Sequence, residues 1–244
     1  MKRVSQLVTP LALVAAATVG VAAGAQGLGS DERPAKGNWA TVIAETAGGH
    51  RIGNPEAGLK LVEFMSYTCS HCATFARTGD GAIKSMYVPT GKVSYEIRHL
   101  IRDPVDLAAS LAVRCGPPAN FFRNHEAIMS RHPEWMARIK TMTDAQMTRW
   151  RTGSFGSRAQ AIASDLDFYD IMAGRGYSRA QLDVCLTDGE EAQAIAGRSQ
   201  SDMAAFGLEG TPSFLIGGKR LDGVHNWAAL QPVLDQYLKG PAAR

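Results

Sequence analysis

Residues 62–72 read VEFMSYTCSHC, and the fold that the sequence predicts is built around this stretch. The apolar run Leu59–Met65 indicates a buried strand, and a short turn and a helix-compatible segment, residues 73–77, follow it. Two cysteines three positions apart at the start of a helix have the geometry of a redox motif. We expect Cys69 at the helix N-terminus, exposed to solvent, and Cys72 one turn further on, on the same face and more buried.

Disulfide exchange depends on this arrangement of the two thiols. A thiolate, not a thiol, attacks a disulfide, so the outer cysteine must ionise near neutral pH. The unpaired N–H groups and the macrodipole at a helix start favour the anion, and His71 adds a donor and, when protonated, a positive charge. We therefore predict that Cys69 is the nucleophile and that Cys72 is the resolving thiol.

Two other uses of the cysteine pair stay open. Cys69, His71 and Cys72 could ligate zinc, although a structural zinc site takes four ligands. The chain has no second Cys-x-x-Cys pair and no His-x-x-x-His pair to complete one. The two cysteines could also form an inert structural disulfide. The redox interpretation is the preferred one.

Length and charge limit the class of protein. The chain has 244 residues, 45% of them hydrophobic, with 26 basic and 23 acidic residues. That length supports a real core and suits one medium globular unit or a domain with a large insertion. The charges nearly balance and no long basic run is present, so there is no electrostatic case for nucleic-acid binding.

The N-terminus, residues 1–25, has the pattern of a secretory signal peptide. A basic start over residues 1–3 precedes an apolar stretch over 7–23, and residues 23–25 read Ala-Gly-Ala, a small-x-small cleavage pattern. An uncleaved membrane anchor is the alternative, but the stretch is short for a span and Pro10 interrupts it. We expect an exported, periplasmic protein, in a compartment where disulfides persist.

The elements around the redox motif predict an α/β architecture. Strands are expected at 41–45, 59–65 and 92–100, turn signals fill 48–58, and a break is expected in the redox helix at 79–81. After this first group, the sequence from 103 to 206 indicates helices only. They begin with a cap at Asp103 and a proline at position 104, and their capping-box pairs are Thr143 with Gln146, Ser157 with Gln160, Ser178 with Gln181, and Asp188 with Glu191.

Strand signals return near the C-terminus. Residues 213–216 are a short apolar strand, the two glycines at 217 and 218 form a hairpin turn, and 219–221 pair back. A terminal helix is expected to run to residue 239, with Pro232 in its first turn because proline is costly further inside. The inner face of the helix before the hairpin is predicted to include Met203, and Gly207 is predicted to end that helix.

The order of elements predicts a thioredoxin-like fold with an all-helical domain inserted into it. The thioredoxin-like domain is expected to be discontinuous, over residues 41–102 and 207–244. The inserted helical domain and its connecting helix are expected over 103–206, and residues 26–40 are expected to form a flexible leader.

Two motifs resemble those of the DsbA-like thiol:disulfide oxidoreductases, which have a thioredoxin fold with an inserted helical domain. The first is Glu63-Phe64 with Cys69-Ser70-His71-Cys72, and the second, far downstream, is Gly210-Thr211-Pro212-Ser213-Phe214. They occur in the family's order with a helical insert between them. The resemblance covers about residues 53–238. Ser70 departs from the pattern, because the best-known oxidases have proline there, and this leaves the oxidising strength open.

The resemblance implies roles for three residues outside the cysteine motif. Thr211 and Pro212 match the family's cis-proline loop, which faces the active cysteines and pairs its backbone with an extended substrate strand. From the sequence alone an ordinary trans turn is the simpler interpretation. Glu63 matches a buried acid beneath Cys72, which has a raised pKa and relays a proton to or from the resolving thiol. Otherwise Glu63 would be a solvated strand residue.

The remaining cysteines, Cys115 and Cys185, lie near the ends of predicted helices, and similar secreted relatives bridge these positions. Two buried free thiols are the alternative. The other histidines have no ligand-like spacing, and we interpret them as packing or surface residues: His50, His99, His125, His132 and His225. The dithiol is sufficient for the chemistry, so neither a metal nor a cofactor is expected.

The resulting hypothesis is an oxidase that introduces disulfide bonds into exported proteins with free thiols. The resemblance implies that a membrane quinone-linked partner reoxidises it. An isomerase or reductase of the same fold is the first alternative. Family isomerases carry a separate N-terminal dimerisation domain, for which the residues between 26 and 54 are too few. A metal- or peptide-binding module without turnover is the second alternative.

Overall fold

The structure, a computed structural model, describes residues 37–239. The expected signal peptide and the leader as far as residue 36 lie outside the described residues. The last part of the expected leader is not flexible, because Trp39–Thr41 form a 3-10 turn. The indole of Trp39 is partly buried against the core, and this contact makes the turn part of the fold.

Six strands form one sheet in the order β1-β2-β4-β3-β5-β6. Of the neighbouring pairs, only β3 and β4 are parallel, and these two strands form the centre of the sheet. The strands are β1 (Ile43–Glu45), β2 (His50–Gly53), β3 (Leu59–Met65), β4 (Val93–His99), β5 (Ser213–Ile216) and β6 (Lys219–Arg220). The two central strands and the closing hairpin lie where the sequence predicted them.

The strand β2 was missed, since its segment was interpreted as turn. Its four residues have no apolar alternation, and it becomes a strand because it pairs with β1 on one side and β4 on the other. The residue before it, Gly49, lies so close to β4 that a Cβ there would come within 2.0 Å of the Ile97 carbonyl oxygen. This close approach, rather than a turn, explains the glycine.

The redox helix starts as α1 (Ser70–Phe75) and continues without a break. Two π-helical segments, Ala76–Asp80 and Ile83–Tyr87, follow it, so the expected break at residues 79–81 is wrong. Gly81 is helical, with φ −60° and ψ −43°. Gly79 serves packing, because a Cβ there would lie 2.7 Å from the ring of Phe75. Asp80, which belongs to the site described below, is the last residue of the first π-helical segment.

Eight helices lie between β4 and β5 in the described chain, so a helical block interrupts the sheet as predicted. They are α2 (Pro104–Val113), α3 (Phe121–Ser130), α4 (His132–Ile139), α5 (Asp144–Arg151), α6 (Phe155–Asp165), α7 (Phe168–Ala173), α8 (Arg179–Leu186) and α9 (Gly189–Phe206). Asp103 caps α2 by accepting from the backbone N–H of Asp106, and Pro104 is the first helical residue, as predicted.

The helix caps confirm most of the sequence patterns. Thr143 and Ser178 form complete capping boxes. Of the box predicted for Asp188 and Glu191, only the first half forms: Asp188 caps α9 by accepting from the backbone N–H of Glu191. The predicted box at Ser157 is wrong, because Ser154 caps α6 and accepts from the backbone N–H of Ser157.

Two further predictions near the C-terminus are wrong. In α10 (Trp227–Lys239), Pro232 lies well inside the helix and not in its first turn. It is tolerated there because Pro232 and Ala228, whose carbonyl loses its partner, both face solvent. Met203 is 37% exposed and not part of the inner face of α9, whereas Gly207 ends that helix in the left-handed conformation as predicted. Within residues 37–239, no helix is both long enough and apolar enough to cross a bilayer.

Candidate active site

The loop that carries Cys69 is held by a buried carboxylate. Asp106, on α2, accepts from the backbone N–H of Tyr67 at 2.7 Å and from the hydroxyl of Ser66 at 2.6 Å. Its side chain also accepts from the backbone N–H of Arg102 at 3.0 Å. Burial raises the pKa of Asp106 to about 7. The helical block thereby fixes the turn between β3 and the redox helix.

Cys69 is the N-cap residue of α1, as the spacing predicts, with φ −93° and ψ 117°. The residue is only 4% exposed, so the expectation of an exposed cysteine is wrong. It lines a cavity of about 310 Å³ together with His71, Arg102, Met203 and Thr211. Access to the sulfur is therefore through this cavity, because the cis-proline loop and the segment after β4 close over the helix start.

The ionised form of Cys69 is strongly stabilised. Its pKa falls from an ordinary 9.0 to about 4, chiefly because the thiol of Cys72 donates to its sulfur, and despite the opposing effect of burial. The hydroxyl of Thr211 and the backbone N–H groups of Cys72 and His71 donate as well. The side chain of His71 is exposed, and it is the backbone of this residue that contributes to the lowered pKa.

Cys72 has the opposite environment. Its side chain is fully buried, and burial raises its pKa well above 9.0, with further contributions from Cys69 and from the nearby Glu63. Both cysteines are free thiols in the structure. At neutral pH the pair therefore holds one thiolate, on Cys69, and one protonated thiol, on Cys72. This is the charge state that separates a nucleophile from a resolving thiol.

Glu63 is buried, with 2% of its surface exposed, so the alternative of a solvated strand residue is wrong. Its pKa is raised well above the ordinary value by burial and by the neighbouring charge of Asp80, against the hydrogen bond that the Tyr95 hydroxyl can donate to Oε2 when Glu63 is ionised. The family resemblance implies a buried acid with a raised pKa at this position, and Glu63 is one.

A set of buried polar groups extends from Glu63, and the sequence did not indicate it. The hydroxyl of Tyr95 also lies 3.0 Å from Oδ1 of Asp80. Nε2 of His125 lies 3.1 Å from Oδ2 of Asp80, and Nδ1 of His125 lies 3.0 Å from the hydroxyl of Tyr67. The sequence predicts Asp80 at a helix break and His125 as a packing or surface residue. One residue could have indicated these groups: Tyr95 alternates with polar residues and lies on the buried face of β4, where its hydroxyl needs a partner.

The Thr211–Pro212 peptide bond is cis and lies beside Cys69. Sγ of Cys69 lies 3.2 Å from the carbonyl oxygen of Thr211, and only the protonated thiol donates to this oxygen. Nδ1 of His225 lies 2.9 Å from the carbonyl oxygen of Pro212, a contact to the same loop that sequence reasoning missed. The loop and the helix start thus form the two walls of the site.

Cys115 and Cys185 form a disulfide, with Cα atoms 5.6 Å apart. Cys185 lies in the last turn of α8, whereas Cys115 comes just after the end of α2 and not within a helix. The bond therefore joins the two helix ends. Among residues 37–239, the active site included, no group of three or more His, Cys, Asp or Glu side chains is arranged to hold a metal ion.

Comparisons with known proteins agree with this geometry. The family model described as Thioredoxin matches residues 45–236. A Rickettsia prowazekii protein named as a candidate protein-disulfide oxidoreductase is 34% identical over 168 residues, which are 68% of this chain and 53% of that protein. A Rickettsia typhi protein with the same kind of name is 24% identical over 168 residues, 68% of this chain and 54% of that protein. The chain spans about half the length of the curated relatives it matches.

Solved structures show the same fold. The crystal structure of a protein-disulfide isomerase from Novosphingobium aromaticivorans has a TM-score of 0.75 and 42% identity, and the match covers 79% of this chain and 99% of that one. Wolbachia pipientis alpha-DsbA1 has a TM-score of 0.60 at 21% identity, over 78% of this chain and 90% of that one, and supports the fold alone. The chain belongs to the thioredoxin family, and its fold is that of the DsbA structures.

Proposed function

We propose that the chain is a periplasmic oxidase that introduces disulfide bonds into exported proteins. The observation that carries the proposal is the opposite ionisation of the two thiols, with the pKa of Cys69 lowered to about 4 and that of Cys72 raised. A stabilised thiolate belongs to the reduced enzyme only. It therefore favours electron flow from a client dithiol into the Cys69–Cys72 disulfide.

The reaction proceeds by two exchanges. A client thiolate attacks Sγ of Cys69, the bond between the two active sulfurs breaks, and Cys72 leaves with the electron pair and takes a proton. The second client thiolate then attacks the client sulfur of the mixed disulfide, and Cys69 leaves as a thiolate. The client loses two electrons and two protons. One proton remains on Cys72 and the other is released to water.

The walls of the site have separate roles in this proposal. Thr211 and Pro212 bind the client by pairing the backbone beside the cis bond with an extended segment. The cavity at Cys69 is lined by apolar side chains such as Leu100 and Met203, which suits the exposed apolar residues of an unfolded chain. Glu63 exchanges a proton with Cys72, and His71 supplies a backbone donor to the Cys69 thiolate.

Location and partner follow from the same hypothesis. Residues 1–25 would direct export and be removed, and the mature protein would act in the periplasm. Regeneration requires an oxidant that accepts two electrons from the reduced dithiol, and the family resemblance indicates a membrane quinone-linked partner. Cys115 and Cys185 are assigned a structural role.

An isomerase is the second candidate. It is favoured by one observation, the name of the Novosphingobium aromaticivorans protein, a protein-disulfide isomerase that is 42% identical to this chain. An isomerase would need a population of reduced enzyme, because only a free Cys69 thiolate can attack a wrong disulfide.

The experiment compares two clients. Oxidised protein is mixed at equal concentration with a reduced, unfolded protein that has two cysteines, and reduced protein is mixed with a client whose disulfides are scrambled. The proposal predicts rapid transfer of the disulfide to the first client and none with the Cys69→Ser variant. Repair of the scrambled client without oxidation of the first would replace the oxidase with an isomerase. If the protein reacts with neither client, a binding module without turnover is the remaining interpretation.

A further inference from the structure

The buried groups behind Cys72 form a continuous hydrogen-bonded chain. It runs from Glu63 on β3 to Tyr95 on β4, then to Asp80 in the redox helix and to His125 on α3. All four residues are at most 3% exposed. Four elements of secondary structure therefore contribute one side chain each to a polar chain inside the core, which is costly unless every group is satisfied.

The hydrogen bonds of this polar chain indicate that one of its two carboxyl groups is protonated. The hydroxyl of Tyr95 has one hydrogen but lies against two carboxyl groups, those of Glu63 and Asp80. Both contacts are good hydrogen bonds only if one carboxyl group is itself protonated and donates to the phenol oxygen. Burial and the charge of Asp80 raise the pKa of Glu63, while Asp80 accepts from Nε2 of His125 when that nitrogen carries the hydrogen. The proton therefore belongs on Glu63.

The far end of the chain reaches a second cavity. Asp80 lines a cavity of about 240 Å³ together with Arg77, Lys84 and Glu126. This cavity shares no lining residue with the one at Cys69. The carboxylate of Glu126 lies 3.6 Å from Nζ of Lys84 and its side chain is 70% exposed, so solvent reaches this group of charges.

We propose that Asp80 is a positioning residue that connects Glu63, through the hydroxyl of Tyr95, to solvent in the second cavity. The proposal rests on the proposed function and adds a path for the proton of Cys72 that does not pass through the client-binding side. His125 holds the carboxylate of Asp80 in place. Tyr67, which contacts Nδ1 of His125, completes the set.

The path conserves protons at each step. When a client thiolate attacks Cys69, the electron pair of the broken S–S bond goes to Cys72, which takes the proton of Glu63. Asp80 takes a proton from water in the cavity and gives it to the phenol oxygen of Tyr95 as Glu63 takes the hydroxyl hydrogen, so that Asp80 ends as a carboxylate, Tyr95 as a phenol and Glu63 as a protonated acid. One proton is taken up from water, and no other reactant is required. Reoxidation of the dithiol reverses the movement.

A purely structural hydrogen bond is the competing explanation, and the chain offers a matched control. Tyr87, in the same long helix, donates to Oδ1 of Asp235 at 2.7 Å. That pair has the same chemistry as the contact between Tyr95 and Asp80, but it lies outside the polar chain. The variants Asp80→Ala and Tyr95→Phe are therefore compared with Asp235→Ala and Tyr87→Phe.

The experiment measures how fast dithiothreitol reduces the Cys69–Cys72 disulfide of the full chain between pH 5 and 8, with and without formate. We expect Asp80→Ala to be slower by about tenfold, less than the loss of a complete general acid, and formate to restore the rate because it enters the cavity that the deletion opens. Tyr95→Phe should be slower by a similar factor. Formate should not restore its rate, because the missing hydroxyl is buried and does not line the second cavity. The control variants should react like the wild type.

The outcomes separate the two proposals. A folded Asp80→Ala variant that reacts within twofold of the wild type, or one that is slow and insensitive to formate, would overturn the proton path and leave the oxidase untouched. If Asp80→Ala does not fold, Tyr95→Phe, which removes only a hydroxyl, decides in the same way. A wild-type disulfide that does not react with dithiothreitol would overturn the proposed function and the path with it.

Discussion

At the scale of single residues, the site works by placing two sulfurs in unequal surroundings. Cys69 receives several donors at the start of a helix, whereas Cys72 lies one turn further in, fully buried beside an acid. The cysteine spacing was sufficient to predict this inequality. The identity of the donors was not, because Thr211 is 142 positions away in the chain and only the fold brings it to Cys69.

The hydroxyl of Thr211 gives a residue-scale prediction. In Thr211→Val the thiolate loses one donor, and a hydrogen bond to a charged group is worth about 1.5–3 kcal/mol. The pKa of Cys69 should therefore rise by roughly one to two units. Titrating thiolate absorbance checks this, with Thr211→Ser, which keeps the hydroxyl, as the control. An unchanged pKa in the valine variant would remove this donor from the account.

Stability should depend on pH and redox state together. The pKa of Cys69 is about 4 in the folded protein against an ordinary 9.0, so between these values the unfolded chain binds a proton that the folded one does not. The reduced protein should therefore gain stability as the pH rises from 4 to 9, and lose that gain as the pH falls through 4. The oxidised protein lacks the titrating thiol and should not show this slope.

Thermal unfolding of both redox forms at pH 4 and pH 7 measures the effect. Relative to the oxidised protein, the reduced protein should have a higher melting temperature at pH 7 than at pH 4. The Cys69→Ser variant cannot form the active-site disulfide and lacks the titrating thiol, so its melting temperature should change between pH 4 and pH 7 as that of the oxidised protein does. Equal shifts with pH in both redox forms would contradict a lowered thiol pKa.

At the scale of elements, the parts that could be predicted are those with local signals. The apolar run of β3, the alternation in β4 and the cap at Asp103 predicted their elements correctly. β2 could not be predicted, since it is a strand only through its two neighbours. The chain from Glu63 to His125 was missed for the same reason, because its members come from four elements and no spacing links them.

The start of α2 gives an element-scale prediction. Asp103 caps the helix and also accepts from the hydroxyl of Thr68 at 2.7 Å, so it ties α2 to the loop before Cys69. Asp188 caps α9 through the backbone N–H of Glu191. Asp188→Ala should lower the free energy of unfolding by about 1 kcal/mol, and Asp103→Ala should lower it further. Urea unfolding measures both, and equal losses would show that the contact with Thr68 adds nothing.

At the scale of the whole molecule, the helical block does more than cover the sheet. It supplies Asp106, which holds the loop before Cys69, and His125, which holds Asp80. We propose that residues 103–206 form the inserted unit and that residues 41–102 and 207–244 form the thioredoxin-like one. In this division, the thioredoxin-like unit contributes Glu63, Tyr95 and Asp80 to the polar chain, and the inserted unit contributes His125.

The disulfide between Cys115 and Cys185 closes 70 positions of the helical block. In the chain-entropy description, such a loop contributes about 4 kcal/mol by restricting the unfolded chain. The double variant Cys115→Ala/Cys185→Ala should lose stability on that scale in guanidinium unfolding while Cys69 keeps its low pKa. A change in the Cys69 pKa would show that the bridge also shapes the site.

The central claim is that the stabilised thiolate of Cys69 makes the dithiol an oxidant, with Ser70 at the variable position. The most direct measurement is the reduction potential of the Cys69–Cys72 pair, by equilibration with glutathione. The account predicts a value above the roughly −180 mV of protein disulfide isomerase. A value near or below the roughly −270 mV of thioredoxin would contradict it, because electrons would then flow out of the protein and the chain would be a reductase or an isomerase.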